Sequence, residues 1–484
     1  MAKLPALYSL LFAFSLISIN PWGVQRADIW TQPKLLAIHL IFTCNSWVLL
    51  HQQQQGRLTI PLTWKVGLGF WALFLGVGLT ATLNSPFPLR SLWGQSALGD
   101  GWLYWVLLAA FVLSNALVLR FIPSLLRAQL YGLLIGGVIA ALSIFPQVFD
   151  WRIDYTATSG LVSPSYPHML ASTIWQGQMP IGLYSNRGHE AFVLTAVGVL
   201  SLLGWRWGWV KPLPAIVICL LTSTSLFYTQ VRGGYLALLV AVAYLLWRCL
   251  SDTARQRVLQ SYDIKFLLIS GLLAITALVC LENLNVPPEA APAAALSKLN
   301  LEHFSSGRLH LWQLSLRGIS RRLVWGWGFD GFGIAFPFVA DWTGQHHEEL
   351  LEKVPVAQVL NLNDFTFDYQ GTDGKLHTGA LISNKAHNLL LDTTLSVGVL
   401  GLLSYALLWW FSLKSTVRTT FQGIEAVGIA YLVYTFTWYE SAQFSHLAWW
   451  ALSAGLASPR VLPRPVQTEM NLTTSLTPDK PHST

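Results

Sequence analysis

Four side chains that can bind phosphate or move a proton stand beside long apolar stretches of this chain. They are Arg187 in YSNRGHEAF, Arg232 in TQVRGGYLALLV, Arg308 in GRLHLW and His387 in SNKAHNLLLD. The guanidinium group of arginine can donate two parallel hydrogen bonds to phosphate oxygens, and an imidazole can take a proton from a hydroxyl near neutral pH. Because charges at membrane depth are costly, the set predicts an anion site with a general base.

The surroundings of two arginines favour that interpretation over a structural one. Gly233 and Gly234 follow Arg232 and let the backbone come close to a ligand. Arg308 falls in the first turn of a predicted helix, where the helix dipole disfavours a cation unless an anion is near. The alternative for Arg232 is a guanidinium that simply extends to the membrane interface.

The neighbours of His387 predict how the imidazole is tuned. Lys385 could lower its pKa and keep it a neutral base, and Asn388 is expected to orient the loop or the ring. A lone histidine is more often structural than catalytic, so the type of residue alone does not decide. Arg187 is a weaker phosphate candidate, since it could instead pair locally with Glu190.

No metal or cofactor is expected. The run His346-His347-Glu348-Glu349 is not an H-E-x-x-H motif, and Asp364, Asp368 and Asp373 lack EF-hand spacing. The chain also has no G-x-x-x-x-G-K-[ST] loop for ATP. A lipid-linked donor is therefore favoured over a nucleotide donor.

Composition identifies the environment of these groups. Of 484 residues, 53% are hydrophobic and 11% are charged, and the mean hydropathy is +0.47. Apolar blocks of about 20 residues are long enough to cross a bilayer. These values exclude a soluble enzyme, a disordered protein and a disulfide-stapled secreted domain. The net charge of +7 is explained mostly by basic residues at cytoplasmic helix ends, so we expect no nucleic-acid partner.

The expected fold is an all-α polytopic membrane protein of about 12 transmembrane helices, with a large structured periplasmic loop between helices 9 and 10. The first helix lies in 1–20 and is read as uncleaved. The others are expected at 35–51, 64–84, 102–119, 123–146, 189–205, 212–230, 234–249, 264–281, 388–412, 422–438 and 441–457.

This pattern divides the chain into five parts. They are helices 1–5 in 1–146, helices 6–9 with the preceding periplasmic loop in 147–281, the long loop 282–386, helices 10–12 in 387–458, and a disordered cytoplasmic tail 459–484. Basic residues are more frequent in the connections on one side. The positive-inside rule then places both termini in the cytoplasm and the long loop outside.

The long loop is predicted to contain structure of its own. Ser305–Arg322 has apolar residues at helical spacing, and Phe365–Gly379 alternates apolar and polar residues around Gly371–Gly374, which is typical of a hairpin. Long structured loops tend to carry function, so the chemistry is expected there.

Together these motifs resemble the O-antigen ligase family and its polymerase and oligosaccharyltransferase relatives. Arg232-Gly233-Gly234 opens a span, Gly307-Arg308 leads to the Gly326–Phe332 stretch GWGFDGF, and a histidine motif follows. From His387 the chain reads H-N, nine residues and Gly398-Val399-Leu400-Gly401, which is similar to the ligase signature H-[NSQ]-x9-G-x-x-[GTY]. The likeness covers about residues 180–415, and Val231 stands where the family usually has a small hydroxyl residue.

The resemblance implies transfer of a glycan from undecaprenyl pyrophosphate to a sugar hydroxyl, such as one on lipid A–core, at the periplasmic face of the bacterial inner membrane. It implies that His387 is the general base and that Arg232, Arg308 and, more weakly, Arg187 bind the pyrophosphate without a metal. Membrane lipids and a glycolipid or glycan acceptor are the expected partners.

Three alternatives stay open at this point. A polymerase would use the same donor and differ only in its acceptor, and a protein-directed transferase would differ in the same way. A solute or anion transporter also has about twelve spans, but it usually binds its substrate at mid-membrane between repeated halves.

Overall fold

The computed structural model describes residues 3–148, 179–256, 308–340, 354–381, 383 and 385–457. Within these ranges the protein is mostly helical, and eight helices are long and apolar enough to cross a membrane. It is therefore a membrane-embedded helical protein. The eight are Ala27–Gln54, Leu62–Leu83, Trp102–Phe121, Leu125–Val148, Arg187–Arg206, Pro212–Thr229, Arg232–Cys249 and Leu389–Val417.

The elements follow one another in a simple order. The first nine helices are α1 (Leu4–Ile17), α2 (Gln32–Gln54, preceded by a π-turn at Ala27–Thr31), α3 (Leu62–Leu83), α4 (Pro88–Trp93), α5 (Trp102–Phe121), α6 (Leu125–Val148), α7 (Arg187–Arg206), α8 (Pro212–Thr229) and α9 (Arg232–Gln256). The remainder are α10 (Leu309–Arg321), α11 (Gly331–Val339), β1 (Val356–Leu362), β2 (Thr366–Gly371), β3 (Leu376–Ala380), α12 (Leu389–Val417), α13 (Glu425–Phe436) and α14 (His446–Leu456).

Three predicted spans are helices shorter than expected. Helices α1, α13 and α14 have 14, 12 and 11 residues, whereas roughly 20 residues cross a hydrocarbon core. The predicted ninth span at 264–281 and the tail 459–484 lie outside the described residues, as do His346–Glu349. The number of spans therefore stays a prediction.

Helix α7 occupies the centre of the bundle, because its side chains from Gly188 to Trp205 are all buried. It packs against α6, α8, α9 and α13. Its first turn is closed by Asn186, whose side chain accepts a hydrogen bond from the Gly188 N–H at 2.8 Å. This cap fixes the point at which the chain enters the bundle, directly at Arg187.

The long loop contains strands as well as helices among the described residues, whereas the membrane-embedded part is helical, as expected. The predicted hairpin is present as the antiparallel pair β2–β3, and a third strand that the sequence did not indicate, β1, pairs with β2. The amphipathic helix is confirmed as α10, beginning at Leu309 rather than in the preceding serines, which lie outside the described residues. These elements share an apolar cluster separate from that of the bundle.

The loop docks on a kink in α12. Gly398 has φ 67° and ψ −175°, so the helix is interrupted there. The Trp327 and Gly328 N–H groups donate to the Leu395 and Ser396 carbonyls at 2.9 and 2.8 Å. A Cβ at Gly398 would lie 2.1 Å from the Val324 carbonyl oxygen, so a side chain there would separate the two backbones.

Candidate functional site

Four of the eight predicted site residues meet at one short stretch of chain, Tyr434–Tyr439, which ends α13 and begins the turn after it. They are Gly233, Arg308, His387 and Asn388. We call this stretch the 434–439 segment. Its residues contact the beginnings of α7, α9, α10 and α12. The predicted span 422–438 contains this segment except for Tyr439.

Arg308 and His387 lie on the same indole ring. The Arg308 guanidinium lies 5.5 Å from the Trp438 ring centroid and also donates a hydrogen bond to the Thr437 carbonyl. The His387 ring stands edge-on to Trp438 at 5.1 Å and to Tyr439 at 4.8 Å. A cation and a potential base are thus neighbours although Arg308 and His387 are 79 positions apart in sequence.

The Trp438 and Tyr439 rings form a rigid support for this pair. They stack at 5.0 Å with an interplanar angle of 20°. The buried Trp438 indole N–H has no hydrogen-bond acceptor among the described residues. It is therefore one more donor that a bound anion could use.

Asn388 positions His387 rather than contacting it. Its side-chain oxygen accepts from the Leu390 and Leu391 N–H groups at 3.0 and 3.2 Å and so caps α12. Its amide donates to the Phe436 carbonyl at 3.4 Å. His387 has φ 56°, a left-handed conformation uncommon outside glycine, which this cap helps to hold.

The residues that follow Arg187 and Arg232 in sequence, Gly188 and Gly233, contact the 434–439 segment. The Tyr434 hydroxyl donates to the carbonyl of Gly188, next to Arg187. A Cβ at Gly233 would lie only 2.3 Å from Oγ1 of Thr437, so α9 begins in close contact with the 434–439 segment. Both arginine side chains are exposed.

The electrostatics of the site favour an anion. Arg187 and Arg232 begin helices, Arg308 precedes one, and His387 and Asn388 precede a fourth. Helix N-termini carry partial positive charge and bind anions. Within the described residues no carboxylate lies within ion-pair distance of the three arginines, because the Glu190 carboxylate accepts from the Leu183 N–H instead.

Burial and charge keep the His387 imidazole neutral. Burial is the main cause that lowers its pKa to about 4, and the Arg308 charge adds to the effect. Nδ1 lies 3.1 Å from the Lys385 carbonyl oxygen. Because a carbonyl can only accept, Nδ1 carries the proton and Nε2 presents its lone pair.

Lys385 lowers the His387 pKa as predicted, but its closest contacts are with other residues. Its ammonium forms an ion pair with Asp100 and lies 4.0 Å from Asp330, so it contributes least to the lowered pKa of His387. Although burial opposes it, the charges of Asp100 and Asp330 raise the Lys385 pKa above its usual value. Arg90 completes this network at 2.7 Å from Asp330 and pairs with Asp364. The network joins the loop to the bundle.

A cavity of about 50 Å³ lies beside this network. Glu440, Asp330 and Lys385 are among its lining residues, and burial raises the pKa of Glu440 to about 8 and that of Asp330 to about 6. The space suits a few water molecules. Nothing near Glu440 in sequence indicates these neighbours, since Asp330 and Lys385 come from distant parts of the chain.

Comparisons with known proteins do not assign a family. Neither a protein-family model nor a curated protein matches the chain. The geometry of the site and the sequence motifs are therefore the basis for a functional assignment.

Proposed function

We propose that this protein is a membrane glycosyltransferase that moves a glycan from undecaprenyl pyrophosphate to a sugar hydroxyl of a glycolipid acceptor such as lipid A–core. The observation that carries the proposal is the meeting of an arginine and a neutral imidazole on the Trp438 ring, at a point where four helices begin. The Arg308 guanidinium can bind a phosphate, and the His387 imidazole can activate a hydroxyl by taking its proton.

The proposed reaction divides the chemistry between these residues. His387 Nε2 takes the proton of the acceptor hydroxyl, whose oxygen attacks the anomeric carbon of the donor sugar. The bond from that carbon to the phosphate oxygen breaks, and undecaprenyl pyrophosphate leaves. Arg232, Arg308 and Arg187 stabilise the charge that develops on the leaving group, which is the largest contribution in many enzymes of this kind.

Donor binding would also tune the base. The free site holds the pKa of His387 at about 4, too low for an efficient base at neutral pH. A pyrophosphate bound by Arg308 would offset the guanidinium charge and raise the imidazole pKa in part, while burial would still keep it below its ordinary value. Donor binding would therefore make His387 a stronger base than it is in the free site.

The proposal includes a location. We infer about twelve spans from the apolar stretches, and cytoplasmic termini with the long loop outside from the distribution of basic residues in the connections. The periplasmic side of a bacterial inner membrane is the location that the resemblance to the O-antigen ligase family implies. The grouping of four helix beginnings at the 434–439 segment supports a site at one end of the bundle rather than at mid-membrane.

Glycan profiling tests the proposal. Cells carrying His387→Ala, with expression checked, are compared with a deletion strain. A ligase variant accumulates long glycan on the undecaprenyl carrier while acceptor-linked glycan disappears. Accumulation of single repeat units would instead identify a polymerase of the same chemistry. An unchanged profile would refute the enzymatic proposal and favour transport.

A further inference from the structure

A turn of the long loop exposes three large apolar side chains next to one another. It consists of residues 323–325, between α10 and α11, and we call it the 323–325 turn. Leu323, Val324 and Trp325 are all exposed, and the chain becomes buried again at Gly326. A contiguous group of exposed apolar side chains marks a surface that contacts another molecule or a membrane.

Helix α12 indicates the level of this turn relative to the membrane. The Val399 N–H donates to the Leu323 carbonyl at 2.9 Å. The nearest charged residues of α12 on either side of that contact are Asp392 and Lys414, so Val399 is the seventh residue of the uncharged stretch 393–413. At 1.5 Å per residue this stretch is about 30 Å long, which is the thickness of a hydrocarbon core. The turn therefore lies against the outermost third of the span.

The end of α3 indicates the same level independently. Arg322, the residue before the turn, donates a hydrogen bond to the Asn84 carbonyl at 2.8 Å. Asn84 directly follows α3, which is long and apolar enough to cross the membrane and ends at Leu83. Because the end of a span marks the boundary between hydrocarbon and headgroups, two spans place the 323–325 turn at the membrane interface on the loop side.

The helix before the turn adds positive charge to this surface. Residues 309–325, which form α10 and the turn, include three arginines and no acidic residue. Arg317 and Arg321 are exposed and lie four positions apart, so they share one face of α10. Like charges at this spacing repel each other weakly, and an anionic surface would offset that repulsion. Apolar side chains beside exposed arginines are typical of segments that lie in the interface of a membrane containing anionic lipids.

We propose that the 323–325 turn inserts into the outer leaflet and that Arg317 and Arg321 bind the phosphates of anionic phospholipids there. The partner is the bilayer surface, and the two arginines give it a preference for lipids of net negative charge. Because α10 begins at Leu309, directly after Arg308, this contact holds the helix that positions a site arginine. The inference does not depend on the proposed transfer reaction.

Quenching by brominated lipids tests whether the turn is inserted. The full-length protein, with its four native cysteines replaced by alanine, carries Trp325→Cys labelled with bimane and is placed in nanodiscs of phosphatidylcholine and phosphatidylglycerol. We expect lipids brominated in the acyl chains to quench this label, and aqueous iodide to leave it bright. Leu376→Cys is the matched control, because Leu376 is another exposed apolar residue of the loop but lies beside the exposed Asp373 and Lys375. Its label should respond to iodide and not to brominated lipid.

Brominating one lipid at a time measures the preference for negative charge. At equal mole fractions, brominated phosphatidylglycerol should quench the label at position 325 roughly fivefold more efficiently than brominated phosphatidylcholine, the attraction of one basic residue near an anionic lipid. Arg317→Gln together with Arg321→Gln should remove this preference and keep the quenching by the neutral lipid. Arg57→Gln, at an exposed arginine between α2 and α3, should leave the preference unchanged.

Three results would overturn the proposal. A label at position 325 that responds to iodide and not to brominated lipid would show that the turn faces water. Equal quenching by the two lipids, or a preference that survives both arginine replacements, would refute the anionic site. If the cysteine-free protein does not fold, thermal unfolding of the protein with its native cysteines decides. Adding phosphatidylglycerol should raise the unfolding midpoint of the wild type more than that of the double arginine variant, and an equal rise would refute the proposal.

Discussion

The kink at Gly398 offers a quantitative test of how the loop is held over the site. The φ and ψ angles of 67° and −175° fall in a region that is essentially restricted to glycine, and any other residue there costs about 1–3 kcal/mol. A Cβ would in addition lie 2.1 Å from the Val324 oxygen and 2.7 Å from the Trp325 nitrogen, both of them backbone atoms. For Gly398→Ala we therefore expect a loss of about 3 kcal/mol, which lowers the docked population on the order of 100-fold.

The assay measures the transfer rate and the thermal unfolding midpoint of the purified protein. Gly76→Ala in α3 is the matched control, because nothing lies within 4 Å of its added Cβ and alanine favours a helix by about 1 kcal/mol over glycine. Gly398→Ala should lose activity and stability while the control keeps both. Retention of both properties by Gly398→Ala would refute the view that this backbone contact holds the loop.

Three further outcomes follow from the contacts at the site. The kcat/KM of the wild type should fall as pH drops through about 4, because His387 becomes protonated there. Arg308→Gln should slow transfer about 100-fold and move this acidic fall to higher pH, because the arginine charge no longer lowers the His387 pKa. An acidic fall at the same pH in both proteins would contradict the effect of Arg308 on His387. Gly233→Ala should reduce transfer because its Cβ meets the Thr437 hydroxyl at 2.3 Å; Thr437→Ala in the same protein should restore the rate, and a lack of rescue would count against that contact. Arg90→Leu should destabilise the protein by about 3 kcal/mol, since it leaves the buried Asp330 carboxylate only the Lys385 ammonium at 4.0 Å; an unchanged unfolding midpoint would show that the network is not needed.

The long apolar helices could be predicted to within a few residues from the sequence. The stretch 64–84 is observed as Leu62–Leu83, and 102–119 as Trp102–Phe121. Runs of about 20 apolar residues have few other stable structures, because a bilayer leaves backbone groups no partner outside a helix. The prediction is poorer at 422–438, since Trp438 and its neighbours are apolar but leave the helix to build the site.

The residue types of the site were predictable, whereas their partners were not. Arg308 and His387 were identified from position and chemistry, because a cation at a helix beginning needs an anion. The effect of Lys385 on His387 has the predicted direction, but its ion-pair partner Asp100 could not be predicted, since it lies 285 residues away in sequence. Tyr439 belongs to no motif, and its contact with His387 becomes visible only through packing.

One measurement tests the central claim most directly. Wild-type, His387→Asn and Arg308→Gln proteins in nanodiscs receive a synthetic undecaprenyl-pyrophosphate glycan, and release of undecaprenyl pyrophosphate is followed with and without acceptor. We predict acceptor-dependent release by the wild type, with glycosylated acceptor formed in equal amount, and a loss of at least about 100-fold in each variant. Equal release by the wild-type and His387→Asn proteins would contradict the assignment of this site.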